Sequence, residues 1–130
     1  MLCELKVATA ERNQFKDITC EVQKAVTSSG VKSGVCYIFV THTTAGITIN
    51  ENADPDVRAD MLMKLSELVQ KDRRFSHSEG NSDAHIKASL MGFSVTVPVE
   101  KGKLLLGIWQ GIYFCEFDGP RSRKVLIKIV

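Results

Sequence analysis

No stretch of the chain stays apolar for the roughly 20 residues that a membrane-spanning helix requires. Charge of neither sign dominates, since 17 basic residues against 15 acidic ones leave a formal net charge of +2. That balance excludes the electrostatic footprint of a typical nucleic-acid binder, and no strip of interleaved basic and aromatic residues is present. The one basic cluster, Arg121, Arg123 and Lys124, falls short of the run of about five like charges that marks a charged tail. Only three prolines occur, and no Gly/Ser-rich linker, internal repeat or low-complexity segment divides the 130 residues. A single domain over 1–130 is the natural reading. None of the four cysteines (Cys3, Cys20, Cys36, Cys115) has a C-x-x-C spacing. The first ten residues carry Glu4 and Lys6 in a short alternating stretch, unlike a secretory leader. Reduced thiols, packed as small hydrophobes in a cytoplasmic protein, are therefore expected. The phosphate-binding loops G-x-x-x-x-G-K-[ST] and G-x-G-x-x-G are both missing.

What is present is an ordinary globular composition, 44% hydrophobic and 25% charged. Leu2 to Thr9 alternates loosely and predicts a first strand. Asp17 is placed to cap a helix carrying Ile18, Val22, Ala25 and Val26 on one face, with Gly30 as its C-terminal stop. Val35 to Thr41 is apolar on both parities, which predicts a central strand covered on both faces. Another strand covers Ile47 to Glu51. Asp54-Pro55 opens the clearest helix, its stripe made by Val57, Met61, Leu62, Leu65, Leu68 and Val69. A shorter helix runs from about Asp83 to Met91, ended by Gly92. The remaining strands are Phe93 to Val99, with Pro98 suggesting an edge or bulge, then Leu104 to Gly107, Ile112 to Phe117 and Lys124 to Val130. Strong turn residues, Asp118-Gly119-Pro120, separate the last two. Helices dispersed among mostly antiparallel strands give an α+β fold with two to three helices.

The three histidines lie in polar, small-residue segments. His42 follows the buried strand in Thr41-His42-Thr43-Thr44, and His77 and His85 bracket Ser78-Glu79-Gly80-Asn81-Ser82-Asp83-Ala84. Three imidazoles can hold zinc and leave a coordination position open, with carboxylates such as Glu51, Glu79 or Asp83 orienting them. Their spacing fits no standard zinc motif, so separately hydrogen-bonded histidines explain the same residues. Glu51, within Asn50-Glu51-Asn52, is a candidate general base or a turn residue. Trp109 and Gln110 stand between Gly107 and Gly111 and either line a pocket or form a bulged strand. Arg121, on a tight turn, can grip phosphate or carboxylate through two N–H groups, or can simply be solvated.

His42-Thr43-Thr44-Ala45, Asn50 through Val57, His77 through Gly92, Gly107 to Gln110 and Glu116 through Arg121 together resemble the signature blocks of the YjbQ-like family, also called the secondary thiamine-phosphate-synthase family. The blocks span nearly the whole chain in order. This resemblance implies a compact, sheet-rich α+β domain that assembles as a homotrimer. It also implies a pocket containing His42, His77 and His85, which hold a metal in some members, supported by Glu51, Asn81, Asp83, Trp109, Gln110 and Arg121. One departure is Ile108, where threonine is expected before the tryptophan. A weak thiamine-phosphate synthase activity is attributed to some members: a pyrimidine diphosphate is joined to a thiazole phosphate and diphosphate leaves. Arg121, Lys87 or a divalent metal would meet the departing diphosphate. Three histidines favour zinc, whereas diphosphate chemistry usually goes with oxygen-held Mg²⁺. The expected function is thus a small-molecule enzyme, a transferase of this kind or a metal-dependent hydrolase, acting on a small anionic or phosphorylated substrate. In this assignment His42, His77, His85 and Glu51 are catalytic, and Asn81, Asp83, Lys87, Trp109, Gln110 and Arg121 bind substrate. The alternative is a non-catalytic trimer that binds a metal or metabolite.

Overall fold

The computed structural model describes residues 1–130 as eight strands and three helices. The elements in chain order are β1 (Leu2–Ala8), β2 (Gln14–Asp17), α1 (Thr19–Ser29), β3 (Ser33–Val40), β4 (Ala45–Glu51), α2 (Pro55–Leu68), α3 (Ser82–Met91), β5 (Ser94–Glu100), β6 (Lys103–Leu104), β7 (Gln110–Glu116) and β8 (Ser122–Ile129). They build two sheets, β1-β8-β3-β5-β6 and β2-β7-β4, and every pairing within them is antiparallel. The fold is therefore the α+β arrangement expected from the dispersal of helical and alternating segments.

The main core lies between the inner face of the five-stranded sheet, the three-stranded sheet and α1. Cys36, Ile38 and Val40 of β3, Val125, Ile127 and Ile129 of β8, Ile112 and Phe114 of β7, and Val22 and Val26 of α1 meet there. Strand β3 is central in its sheet, as its apolar run predicts, but only one of its faces is covered. Tyr37 and Phe39 alternate with the buried residues and are 46% and 47% exposed. Each faces a β8 neighbour in register, Tyr37 opposite Lys128 and Phe39 opposite Leu126. An apolar run cannot by itself distinguish a face covered by the same chain from one left open.

The helix signals translate closely into structure. Gly30 takes the left-handed conformation at the end of α1, with φ of 73°. Asp17 does accept from the first turn of α1, through Thr19 N–H at 2.9 Å, although Ile18 occupies the cap position itself. Asp54 caps α2 by accepting from Asp56 N–H, and Pro55 is its first residue. The α2 stripe is only partly covered: Leu65 alone is buried and Leu68 points outward. Strand β2 is not visible as an alternation because it is four residues long. Leu104 to Gly107, expected as a strand, contributes only the end of the two-residue β6. Pro98 sits where β6 runs out, its carbonyl accepting from Leu105 N–H.

A second, smaller core lies behind α3. Ala84 and Ala88 pack there with Phe15, Leu65, Tyr113, Cys115 and Phe117. Small residues let α3 approach β4 closely. A Cβ on Gly46 would stand 2.6 Å from the carbonyl oxygen of Gly92, which only glycine avoids. This contact sets the last turn of α3 beside the start of β4.

Candidate functional site

Three segments meet where β3 ends, β4 begins and β7 turns into β8. Thr41 to Thr44 come from the β3–β4 connection, His77 to His85 from the α3 entry, and Asp118 to Arg123 from the β7–β8 turn. They enclose an open cleft of about 420 Å³ lined by eleven residues, none hydrophobic. His42, His77 and His85 all line it, with Asn81, Asp118, Arg121 and Arg123. The His77 and His85 rings stand edge to face with centroids 5.5 Å apart. Glu79 lies 3.9 Å from His77 Nε2.

His42 is held differently. Its Nε2 accepts a hydrogen bond of 2.9 Å from the backbone N–H of Lys124. Strand β3 pairs with β8 only as far as Val40 opposite Val125, so the imidazole takes the next amide along β8. A neutral imidazole whose Nε2 accepts must carry its proton on Nδ1. Burial, and then the nearby Arg123 guanidinium, push the His42 pKa below its ordinary 6.5. His42 is therefore a neutral ring offering one N–H donor.

The floor of the cleft is a buried ion pair. Glu116 on β7 accepts from Arg123 Nε at 2.8 Å, from Arg123 Nη2, from Thr9 Oγ1 at 2.7 Å and from the Phe117 and Asp118 amides. Burial pushes this carboxyl upward, but the Arg123 and Thr9 hydrogen bonds outweigh it and hold Glu116 below its usual range. Arg123 also donates to Thr44 Oγ1 at 2.9 Å. On the wall, Asp118 accepts from Asn81 Nδ2 at 2.8 Å and Arg121 Nη2 at 2.9 Å. Its carboxyl, raised by burial, is lowered further by those two donors, and it stays ionised. Because Asp118 fixes the Asn81 amide, the opposite atom Oδ1 is a buried acceptor with no partner.

The cleft thus gathers five of the sequence-selected residues, His42, His77, His85, Asn81 and Arg121, and leaves five elsewhere. Asp83 and Lys87, 3% and 2% exposed, are enclosed behind α3. Asp83 forms a two-point pair with Arg12 (3.0 and 3.1 Å), and Lys87 donates to Asn13 Oδ1 at 2.9 Å. Their polar row along α3 faces the protein rather than the cleft. Glu51, Trp109 and Gln110 lie at the far end of the three-stranded sheet, since Ala45 pairs with Glu116 and Glu51 with Gln110. Six residues of strand separate the two ends by about 20 Å. There Gln110 Oε1 accepts from Gly107 N–H and the Glu51 carbonyl accepts from Tyr113 Oη, so these groups organise the turn. Sequence reasoning meets Glu116 only inside a signature block and Arg123 only inside a basic cluster, and gives neither a role in the site. The usable signal was a charged residue on the inward parity of an apolar strand in each case.

The donor set does not form a three-histidine metal centre. No three His, Cys, Asp or Glu side chains are grouped to hold an ion, and His42 Nε2 is already engaged.

The pattern of the family described as UPF0047 protein YjbQ-like matches residues 3–130. The chain belongs to the YjbQ family. A YjbQ-family protein of Methanocaldococcus jannaschii is 53% identical over 130 residues, covering all of this chain and 94% of the relative. YugU of Bacillus subtilis is 51% identical, covering 100% and 99%. A YjbQ-family crystal structure from Clostridium acetobutylicum is 58% identical and superposes with a TM-score of 0.96 over 98% of this chain and 99% of that one. A YjbQ-like structure from Sulfolobus solfataricus, at 37% identity, gives 0.94 over 99% and 95%. No helix of the chain is long and apolar enough to cross a membrane.

Proposed function

We propose that the histidine cleft binds a small anionic or phosphorylated substrate and performs proton-transfer chemistry on it. The observation that carries this reading is the lining itself: three imidazoles and two guanidinium groups around one cleft without a hydrophobic residue. The first turn of α3 also opens beside it, and a helix N-terminus favours an anion. His42, fixed as an Nδ1–H donor, steadies a substrate oxygen. The adjacent His77 and His85 share general acid and base duty, since their rings stand together in the cleft and imidazole is the commonest side chain for positioned proton transfer. Arg121 keeps Nη1 free of protein partners while Asp118 holds the rest of its guanidinium, so it meets the anion. Within this class, the candidate reaction is the transfer that joins a pyrimidine diphosphate to a thiazole phosphate, with Arg121 at the departing diphosphate. Lys87 has no part in it because its ammonium is enclosed.

Alanine at His42, His77 or His85, assayed with thiamine precursors and a panel of phosphate esters, tests the assignment. Each change is expected to abolish turnover while the circular-dichroism spectrum is unchanged, and full turnover in all three rejects it. The close His77–His85 pair favours a second reading, a metal- or metabolite-binding module without catalysis. In that reading the divalent ion, zinc rather than magnesium on nitrogen donors, rests on His77 and His85 and not on His42. Elemental analysis showing zinc that is lost in His77→Ala and His85→Ala, but retained in His42→Ala, supports it. We further take the chain to act as a cytoplasmic homotrimer. The open outer face of β3 and β8, with Tyr37, Phe39 and Leu126, supports self-association. Light scattering on Phe39→Lys is expected to show dissociation to a smaller species.

A further inference from the structure

A second cleft, also about 420 Å³, lies at the opposite end of β3 from the histidines. It runs between the C-terminal end of α1 and the β5–β6 hairpin. Three lysines line it, Lys32, Lys101 and Lys103, and no acidic residue does. The lysines that form ion pairs are Lys64, Lys87 and Lys124, so these three ammonium groups have no carboxylate partner. The nearest acid in sequence, Glu100, is occupied by Ser33 Oγ and the Lys101 amide.

The backbone that carries the lysines is pinned. Gln23 of α1 donates to the Gly102 carbonyl at 3.0 Å and accepts from Leu104 N–H at 3.0 Å. Gly102 N–H in turn donates to the Lys32 carbonyl at 3.0 Å. The hairpin turn is also unusual. Lys101 and Gly102 both have positive φ, 52° and 75°, in a two-residue loop whose first position favours Asn, Asp or Gly. A lysine held in the left-handed region is a local strain of the kind that accompanies function. The C-terminal end of α1 contributes only about half a negative charge, against three positive ones.

We propose that this cleft binds a small, multiply charged oxyanion such as an oligophosphate or a tricarboxylate. Its volume falls in the small-ligand range of about 300–1,000 Å³, larger than a single phosphate would fill. The test is an amide NMR titration of the whole protein at low salt with tripolyphosphate, citrate and orthophosphate in separate arms. Tripolyphosphate or citrate is expected to give saturable shifts at Gly30, Lys32, Lys101 and Gly102, stronger than orthophosphate gives, and the responding arm identifies the ligand class. Lys101→Asn keeps a residue suited to the turn, and adding Lys32→Gln and Lys103→Gln removes the remaining charge. Affinity should fall about fivefold per charge removed, and in wild type it should fall as ionic strength rises. Thermal melts confirm that the variants fold. Shifts that are absent, confined to the histidine cleft, or unchanged in the triple variant would overturn the proposal.

Discussion

Two buried ionic clusters lie on either side of the first turn of α3, and the segment between β1 and β2 feeds both. Thr9 joins Glu116 and Arg123 beneath the histidine cleft, whereas Arg12 and Asn13 join Asp83 and Lys87 behind the helix. The first cluster has one carboxylate and one cation. The second shares one carboxylate between two cations. Each holds a buried carboxylate and a buried cation, with Arg12 of the second partly exposed, yet only the first opens a polar edge, Arg123, into the cleft. The difference teaches that burial of charge alone does not mark a site. What matters is whether the enclosed pair also presents an edge to a cavity.

The largest expected effect breaks the first cluster. Glu116→Ala leaves Arg123 enclosed without a counter-charge and should cost about 3–5 kcal/mol in denaturant unfolding. A smaller loss is expected behind α3. Lys87→Met replaces the enclosed ammonium by an apolar chain while Asp83 keeps Arg12, so a loss of no more than about 1.5 kcal/mol is expected. Equal losses in the two variants would erase the contrast.

Acid titration sharpens the comparison further. Glu116, Asp83 and Asp118 all lie below their ordinary ranges; burial raises each, but donors outweigh it. Their stabilisation is complete above the ordinary carboxylate values and is lost as pH falls toward the depressed ones. Stability should therefore drop first below about pH 4.5, and in Lys87→Met this drop should persist because Glu116 and Arg123 remain. His42, also depressed, binds its proton more weakly when folded. Its contribution is complete above pH 6.5 and declines as pH falls below that value. Nitrogen NMR at a pH well above 6.5 should find the neutral His42 ring carrying its proton on Nδ1, and an Nε2–H signal there would contradict the hydrogen bond from Lys124. The smallest stability effects belong to the cleft's rim. His77→Ala should change unfolding free energy by no more than about 0.5 kcal/mol, while the proposed turnover should be lost.

Much of the fold is legible in the residues, and the reasons are local. Asp54-Pro55 and Gly30 act through backbone geometry within a few residues, and the alternation of β8 reports its own buried face. Coverage by distant elements is not local. Tyr37 and Phe39 read as buried, and the α2 stripe reads as a core face, because nothing in a segment states what lies across from it. The site divides in the same way. The three histidines stand in polar segments, His42 and His77 in loops and His85 in the first turns of α3, and these segments converge at one end of the sheets. Glu51 and Trp109 sit in equally polar segments, but strand length carries them to the other end of the sheet. Lys87 and Asp83 were misplaced for another reason. Side chains one turn apart on a helix share a face, and the sequence does not say whether that face meets solvent, cleft or core.

The hydrogen bond from β8 to His42 has a consequence for how the site can change. Its donor is main chain, so replacing the side chain at position 124 by any residue except proline leaves the donor in place. The location of a proton in the cleft is thus written into strand pairing rather than into a neighbouring residue. Sequence drift around the cleft can alter its charge and shape, yet the ring keeps the same tautomer for as long as the two strands keep their register.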